Sequence, residues 1–76
     1  MAQKYMYKTY FLRFDEILNL LECGHKLKRL HWEEGRYISL NSERNIIYLT
    51  EPDSIYEVSY LPSNNDIMAY DWEIVM

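Results

Sequence analysis

Three side chains in the run "CGHKLKRLHW" have the chemistry of a nucleophile, a base or a metal ligand: Cys23, His25 and His31. A thiol beside an imidazole becomes a catalytic nucleophile when a third group orients the base. No third group stands at an indicative spacing, and a two-residue separation by itself carries little information. The same three residues lack the paired spacing of a zinc motif. Four carboxylates, Glu33, Glu34, Asp66 and Asp71, have the acid and base chemistry to flank a scissile bond, but no spacing pairs them. Cys23 therefore reads as a buried, inert thiol near a helix end, and the histidines as satisfied surface or core residues. The expectation is a protein that is not an enzyme and that holds neither a metal nor a cofactor.

Size sets the next constraint. A chain of 76 residues makes one domain, and a domain this short buries only about 60% of the surface that its unfolded chain exposes. Small folds are commonly stapled by disulfides, a metal or self-association. Cys23 is the single cysteine, which excludes an internal disulfide, so self-association is the expected remedy. Composition agrees, with 49% hydrophobic residues and eight tyrosines, a residue type suited to subunit interfaces and ligand pockets. The net charge of −4 argues against a general nucleic-acid binder, which needs a basic footprint. No segment reads as a signal peptide or membrane span, and the free cysteine makes the cytoplasm the expected compartment.

Periodicity supplies the elements that must position any site. "MAQKYMYKTYFLRF" alternates loosely and reads as a strand or extended arm. In "FDEILNLLECG", Phe14, Ile17, Leu18 and Leu21 share one helical face, with Asp15 as expected N-cap and Gly24 as left-handed stop. "HKLKRLHW" and "RYISL" alternate on either side of "EEG" and read as a hairpin, followed by strands in "NIIYLT" and "IYEVSY" separated by a turn at "EPDS". In "YLPSNNDIMAYDWEIV", Pro62 ends a strand and Ser63 with Asp66 has the spacing of a capping box. A helical turn then precedes a last strand that carries Trp72 into the core. The expected fold class is α+β: a short helix in the N-terminal half packed on an antiparallel sheet of about four or five strands, with a helical turn before the last.

These pieces resemble the phage Thoeris anti-defence family, second type. Its members have an amphipathic helix ending in glycine, a basic strand, a tryptophan near a glycine turn, an aromatic-x-Pro-Ser motif and a D-x-x-A-x-D-W motif with an apolar end. The corresponding elements are "FDEILNLLECG", "HKLKRLHWEEGRYISL" and "YLPSNNDIMAYDWEIV", with Pro62, Ser63, Asp66, Ala69, Asp71 and Trp72 in register. The resemblance divides the single domain 1–76 into an N-terminal extension or strand, 1–13, and an anti-defence domain, 14–76. The stretch between Leu40 and Ile55 is shorter than usual, and Glu33-Glu34 stands where relatives often carry asparagine-glycine. By resemblance the protein is an oligomeric sponge, a dimer or tetramer, acting in the cytoplasm of the host bacterial cell. It would capture a cyclic nucleotide messenger, a glycocyclic ADP-ribose or cyclic dinucleotide, starving the immune effector without hydrolysing the messenger.

A purine messenger presents a flat base, riboses and phosphates, so a sponge needs aromatic faces, polar edges and cations. Trp32, Tyr37 and Tyr60 supply the rings; Ser63, Asn64, Asn65 and Asp66 the polar contacts; Arg29, His31 and Arg36 the cations. Each has a plainer reading. Trp32 and Trp72 suit core packing, Ser63, Asp66 and Asp71 suit caps and turns, and Lys28 and Arg29 suit a solvated strand face. The rival function is an anti-CRISPR-type inhibitor that binds a host defence nuclease directly, since an acidic, tyrosine-rich domain can block a basic groove. No membrane or direct nucleic-acid partner is expected.

Overall fold

A computed structural model describes residues 8–76. One helix, α1 (Phe14–Glu22), packs on a five-stranded sheet of β1 (Leu27–Arg29), β2 (Tyr37–Asn41), β3 (Ile46–Thr50), β4 (Glu57–Ser59) and β5 (Trp72–Ile74), with the single turn α2 (Asn64–Ile67) before the last strand. The α+β class read from the sequence is the one observed. The 1–7 part of the expected N-terminal arm lies outside the described residues.

The helix begins earlier than Asp15. Arg13 is the N-cap, and its backbone N–H donates to Glu16 Oε1 at 2.8 Å. Asp15 instead lies in the first turn, where its charge favours the helix dipole and pairs with the Arg13 guanidinium at 2.9 Å. The stop is as the sequence indicates. Gly24 has φ +94°, its N–H donates to the Leu21 carbonyl, and the His25 N–H donates to the Leu20 carbonyl, which together form a Schellman closure. Ile17 and Leu21 are buried, but Leu18 is exposed and Leu20 packs in its place. Cys23 is exposed rather than buried, because it sits on the C-cap beyond the packed face.

The sheet order is β4-β3-β2-β1-β5, antiparallel throughout. The expected β1–β2 hairpin is present but registered only at Leu27 with Ile38, whereas β5 pairs along all of β1. Alternation places Leu27, Ile38 and Trp72 on the helix-facing side, all at 0% exposure, where Ile17, Leu21, Leu12 and Ala69 complete the core. The outer edge of β5 is covered: Leu12 and Trp72 exchange backbone hydrogen bonds at 2.9 and 3.2 Å, and the Ile74 N–H donates to the Thr9 carbonyl. Residues 9–12 thus pair with the sheet ahead of the helix. Strand β4 is shorter than "IYEVSY" suggests, because the Tyr56 N–H turns to the Ser54 hydroxyl.

Candidate functional site

The same alternation that buries Leu27 places Arg29 on the helix-facing side, opposite Trp72 in the β1–β5 register. A guanidinium there needs carboxylates, since an unpaired buried charge is strongly unfavourable. Asp71, one residue before Trp72, accepts two hydrogen bonds: Arg29 Nε donates to Oδ1 at 2.7 Å and Nη2 to Oδ2 at 3.3 Å. Asp66, the second carboxylate, accepts a third bond from Nη1 at 2.9 Å. The Tyr60 hydroxyl donates to the other Asp66 oxygen at 2.7 Å. The Trp72 indole N–H donates to the Asp66 carbonyl at 3.0 Å, satisfying the polar atom of a fully buried ring.

This network is held from the chain ends of α2. Ser63 is its N-cap, with its hydroxyl accepting from the Asp66 N–H at 3.1 Å, the box read from the sequence. Hydrogen bonds from Arg29 hold the Asp71 carboxyl below its usual range against the opposing effect of burial. At Asp66, burial pushes upward but is outweighed by hydrogen bonds from Tyr60 and Arg29, so its carboxyl too lies below the usual range. Burial first, then the bond to Asp66, raises the Tyr60 phenol, keeping it a neutral donor. Arg29 is raised chiefly by Asp71, against burial.

Above the network stands an aromatic cluster. Trp32 meets Trp72 edge to face at 5.3 Å and Tyr60 at 6.5 Å, and Phe14 meets Trp72 at 5.9 Å. The Arg36 guanidinium lies 5.3 Å from the Trp32 ring centroid, a cation-π distance. Arg36 also meets Glu51: Nη2 donates to Oε2 at 3.2 Å, while Nε, 3.1 Å from Oε1, is not aligned to donate. Between these groups a cleft of about 430 Å³ is lined by Trp32, Arg36, Leu49, Ser59, Tyr60, Leu61 and Asp66.

Of the ten residues singled out from the sequence, Trp32, Arg36, Tyr60 and Asp66 therefore share one cleft. Arg29 lies beneath it with its guanidinium occupied by two carboxylates. His31 is exposed, its Nδ1 3.8 Å from Asp71 Oδ2. Ser63, Asn64 and Asn65 are exposed around α2, with the Ser63 hydroxyl occupied by the Asp66 N–H. Tyr37 is on the opposite sheet face, beneath the Lys26 ammonium at 4.8 Å. It lines a larger groove of about 740 Å³ there with Tyr48, Tyr56 and Arg44. Sequence reasoning did not single out Leu49, Ser59, Leu61 or Glu51. Strand alternation could have placed Leu49, but the Arg36–Glu51 contact spans a turn and carries no local signal. Among the described residues there is no cluster of three metal-ligating side chains, and no helix long and apolar enough to cross a membrane.

The molecule is a small α+β domain whose C-terminal turn and strand clamp a half-buried arginine beneath an aromatic cleft. Residues 12–75 match the Thoeris anti-defense 2-like domain, and the chain belongs to that family. No curated protein matches it significantly.

Proposed function

We propose that this protein is an anti-defence sponge, not an enzyme: it binds a cyclic nucleotide immune messenger, a glycocyclic ADP-ribose or a cyclic dinucleotide, and withholds it unhydrolysed from its effector. The reading includes a homo-oligomer, dimer or tetramer, working in the cytoplasm of the host bacterial cell. The observation that carries it is the cleft between Trp32, Arg36 and Tyr60, in a chain of the Thoeris anti-defense 2-like family. Trp32 and Tyr60 offer rings to a base. Arg36 offers the cation for a phosphate, exchanging Glu51 for it. Asp66 already accepts from Arg29, Tyr60 and, at 3.5 Å, the Ser63 N–H, so roughly one of its about four acceptor sites is left for a ribose or base donor. At about 430 Å³ the cleft is toward the small end of ligand pockets, and a second subunit would enclose the rest of a dinucleotide-sized ligand.

The test is isothermal titration calorimetry against cyclic ADP-ribose isomers and cyclic dinucleotides, with chromatography to recover the messenger intact. Loss of stacking in Trp32→Ala should weaken binding about 5- to 150-fold, from the ~1–3 kcal/mol that a stacked base contributes, with the fold checked by circular dichroism. Silence of the folded wild-type protein across the panel would sink the sponge reading and direct the search to a defence nuclease as partner.

A further inference from the structure

We propose that two copies of this chain join along β4, antiparallel, with Val58 on the two-fold axis. This rests on the oligomer in the proposed function and not on its ligand. Among the described residues β4 is the open edge of the sheet, because the other edge, β5, is covered by residues 9–12. An open edge presents a row of unpaired N–H and C=O groups, and proteins usually guard it by keeping the strand very short or with lysine, proline or a bulge; β4 has only the first of these guards, being three residues long. Here the strand reads Glu57-Val58-Ser59 with one charge, and all three residues are exposed. The flanks are more apolar still: Ile55 is 88% exposed, Leu61 85%, Tyr56 72% and Val58 53%. Among the described residues only seven hydrophobic side chains form the buried core, while four large apolar side chains stand open within seven consecutive positions.

Hydrogen-bond phase and charge select the register. The Tyr60 N–H donates inward to the Ile47 carbonyl at 2.8 Å, so in an antiparallel ladder Val58 and Tyr60 bond to β3 while Glu57, Ser59 and Leu61 point their backbone groups outward. Two-fold pairing centred on Glu57 would set the carboxylates of two copies face to face. Centring on Ser59 would place Glu57 against the partner's Leu61. Centring on Val58 sets Glu57 opposite the partner's Ser59, matching polar with polar, and brings the apolar flanks at Ile55 and Leu61 of the two copies toward each other. Because Leu61 lines the Trp32 cleft, this register brings the partner's Ile55 to the cleft's open side. The four exposed side chains offer on the order of 500 Å² per copy, about 1,000 Å² in the pair, at the lower bound for a specific interface. The expected pairing is therefore reversible.

The test is a charge swap at the axis, read by sedimentation velocity across micromolar concentrations. Val58→Lys and Val58→Glu each place like charges face to face and should each raise the dissociation constant of this step at least about tenfold, while a one-to-one mixture should restore assembly. As a second readout, Val58→Cys in a Cys23→Ser background should crosslink into a dimer under mild oxidation, since such a pair stands about 4.5 Å apart at Cα. A wild-type protein that stays monomeric would overturn both the oligomer and the edge. Variants that assemble like wild type would overturn the edge alone, leaving the oligomer standing. Failure of the mixture to rescue, with no Val58→Cys crosslink, would overturn the register. Messenger binding that survives loss of assembly would leave the edge intact and separate it from the ligand reading.

Discussion

Replacing Arg29 by methionine tests whether the cation beneath the cleft is structural. Methionine keeps much of the side-chain volume but removes three charge-assisted hydrogen bonds, at 2.7, 2.9 and 3.3 Å. It leaves the carboxylates of Asp66 and Asp71, 16% and 30% exposed, close together without their counter-ion. Breaking a fully buried pair costs about 3–5 kcal/mol; discounting for this partial exposure gives about 2–4 kcal/mol. For a domain of this size that corresponds to a fall in Tm of about 10–30 °C. The pH dependence is the sharper check. In the wild type both carboxyls are depressed below their ordinary value of about 3.9, so the stability they contribute is present above that value and lost as the pH falls through their folded values. In Arg29→Met, desolvation and mutual repulsion should raise at least one of them, so acidification should protonate it in the folded state and relieve the strain. The deficit of the variant should then shrink as pH falls, as read by thermal or urea unfolding followed by circular dichroism at pH 7 and pH 4. A variant within about 3 °C of wild type, or a deficit that stays constant with pH, would refute the clamp.

Other perturbations give further checks. Gly35→Ala should destabilise by about 2–4 kcal/mol, because φ is +93° and the new Cβ would sit 3.0 Å from Pro52 Cβ and 3.3 Å from its Cα; Gly24→Ala, with the same sign of φ but open space around the Cβ, should lose only about 1–2 kcal/mol, and equal urea midpoints for the two would contradict the packing argument. Ser63→Ala removes the α2 cap and should cost about 1 kcal/mol in urea unfolding. Glu51→Gln removes the carboxylate that occupies Arg36, so calorimetry should find a phosphate-bearing ligand bound more tightly than by wild type, and unchanged affinity would exclude Arg36 as its cation.

Local rules carried most of the fold. Gly24 closes α1 and Ser63 caps α2 because each motif is complete within six residues, and Trp72 is buried because strand alternation and apolar neighbours agree. The departures arise where a competing contact wins. Glu16 reaches back to the Arg13 N–H and starts the helix ahead of Asp15. Leu20 displaces Leu18 from the packed face, and the Ser54 hydroxyl takes the Tyr56 N–H and shortens β4. The site was less readable, for a different reason. Arg29 finds its carboxylates 37 and 42 residues away, and no spacing rule in one sequence announces such a pairing. Tyr37 illustrates the limit of residue type as a guide. It has the right chemistry for stacking, but alternation with the buried Ile38 sends it to the other sheet face.

The polar residues of "YLPSNNDIMAYDWEIV" are largely committed to one another and to Arg29. Tyr60 donates to Asp66, Ser63 caps it, Trp72 anchors its carbonyl, and Asp71 holds the guanidinium. Such groups form a preorganised floor: they lose little freedom when a ligand arrives, and they add few new bonds to it. Discrimination among ligands must then come from groups that still have valence or surface to offer. In the cleft these are the Trp32 ring, the exchangeable Arg36–Glu51 pair and the exposed edge at Leu61. Trp32 and Arg36 flank the loop that carries Glu33 and Glu34. Changes in that loop should alter which ligand is held while leaving the clamp, and hence the fold, untouched.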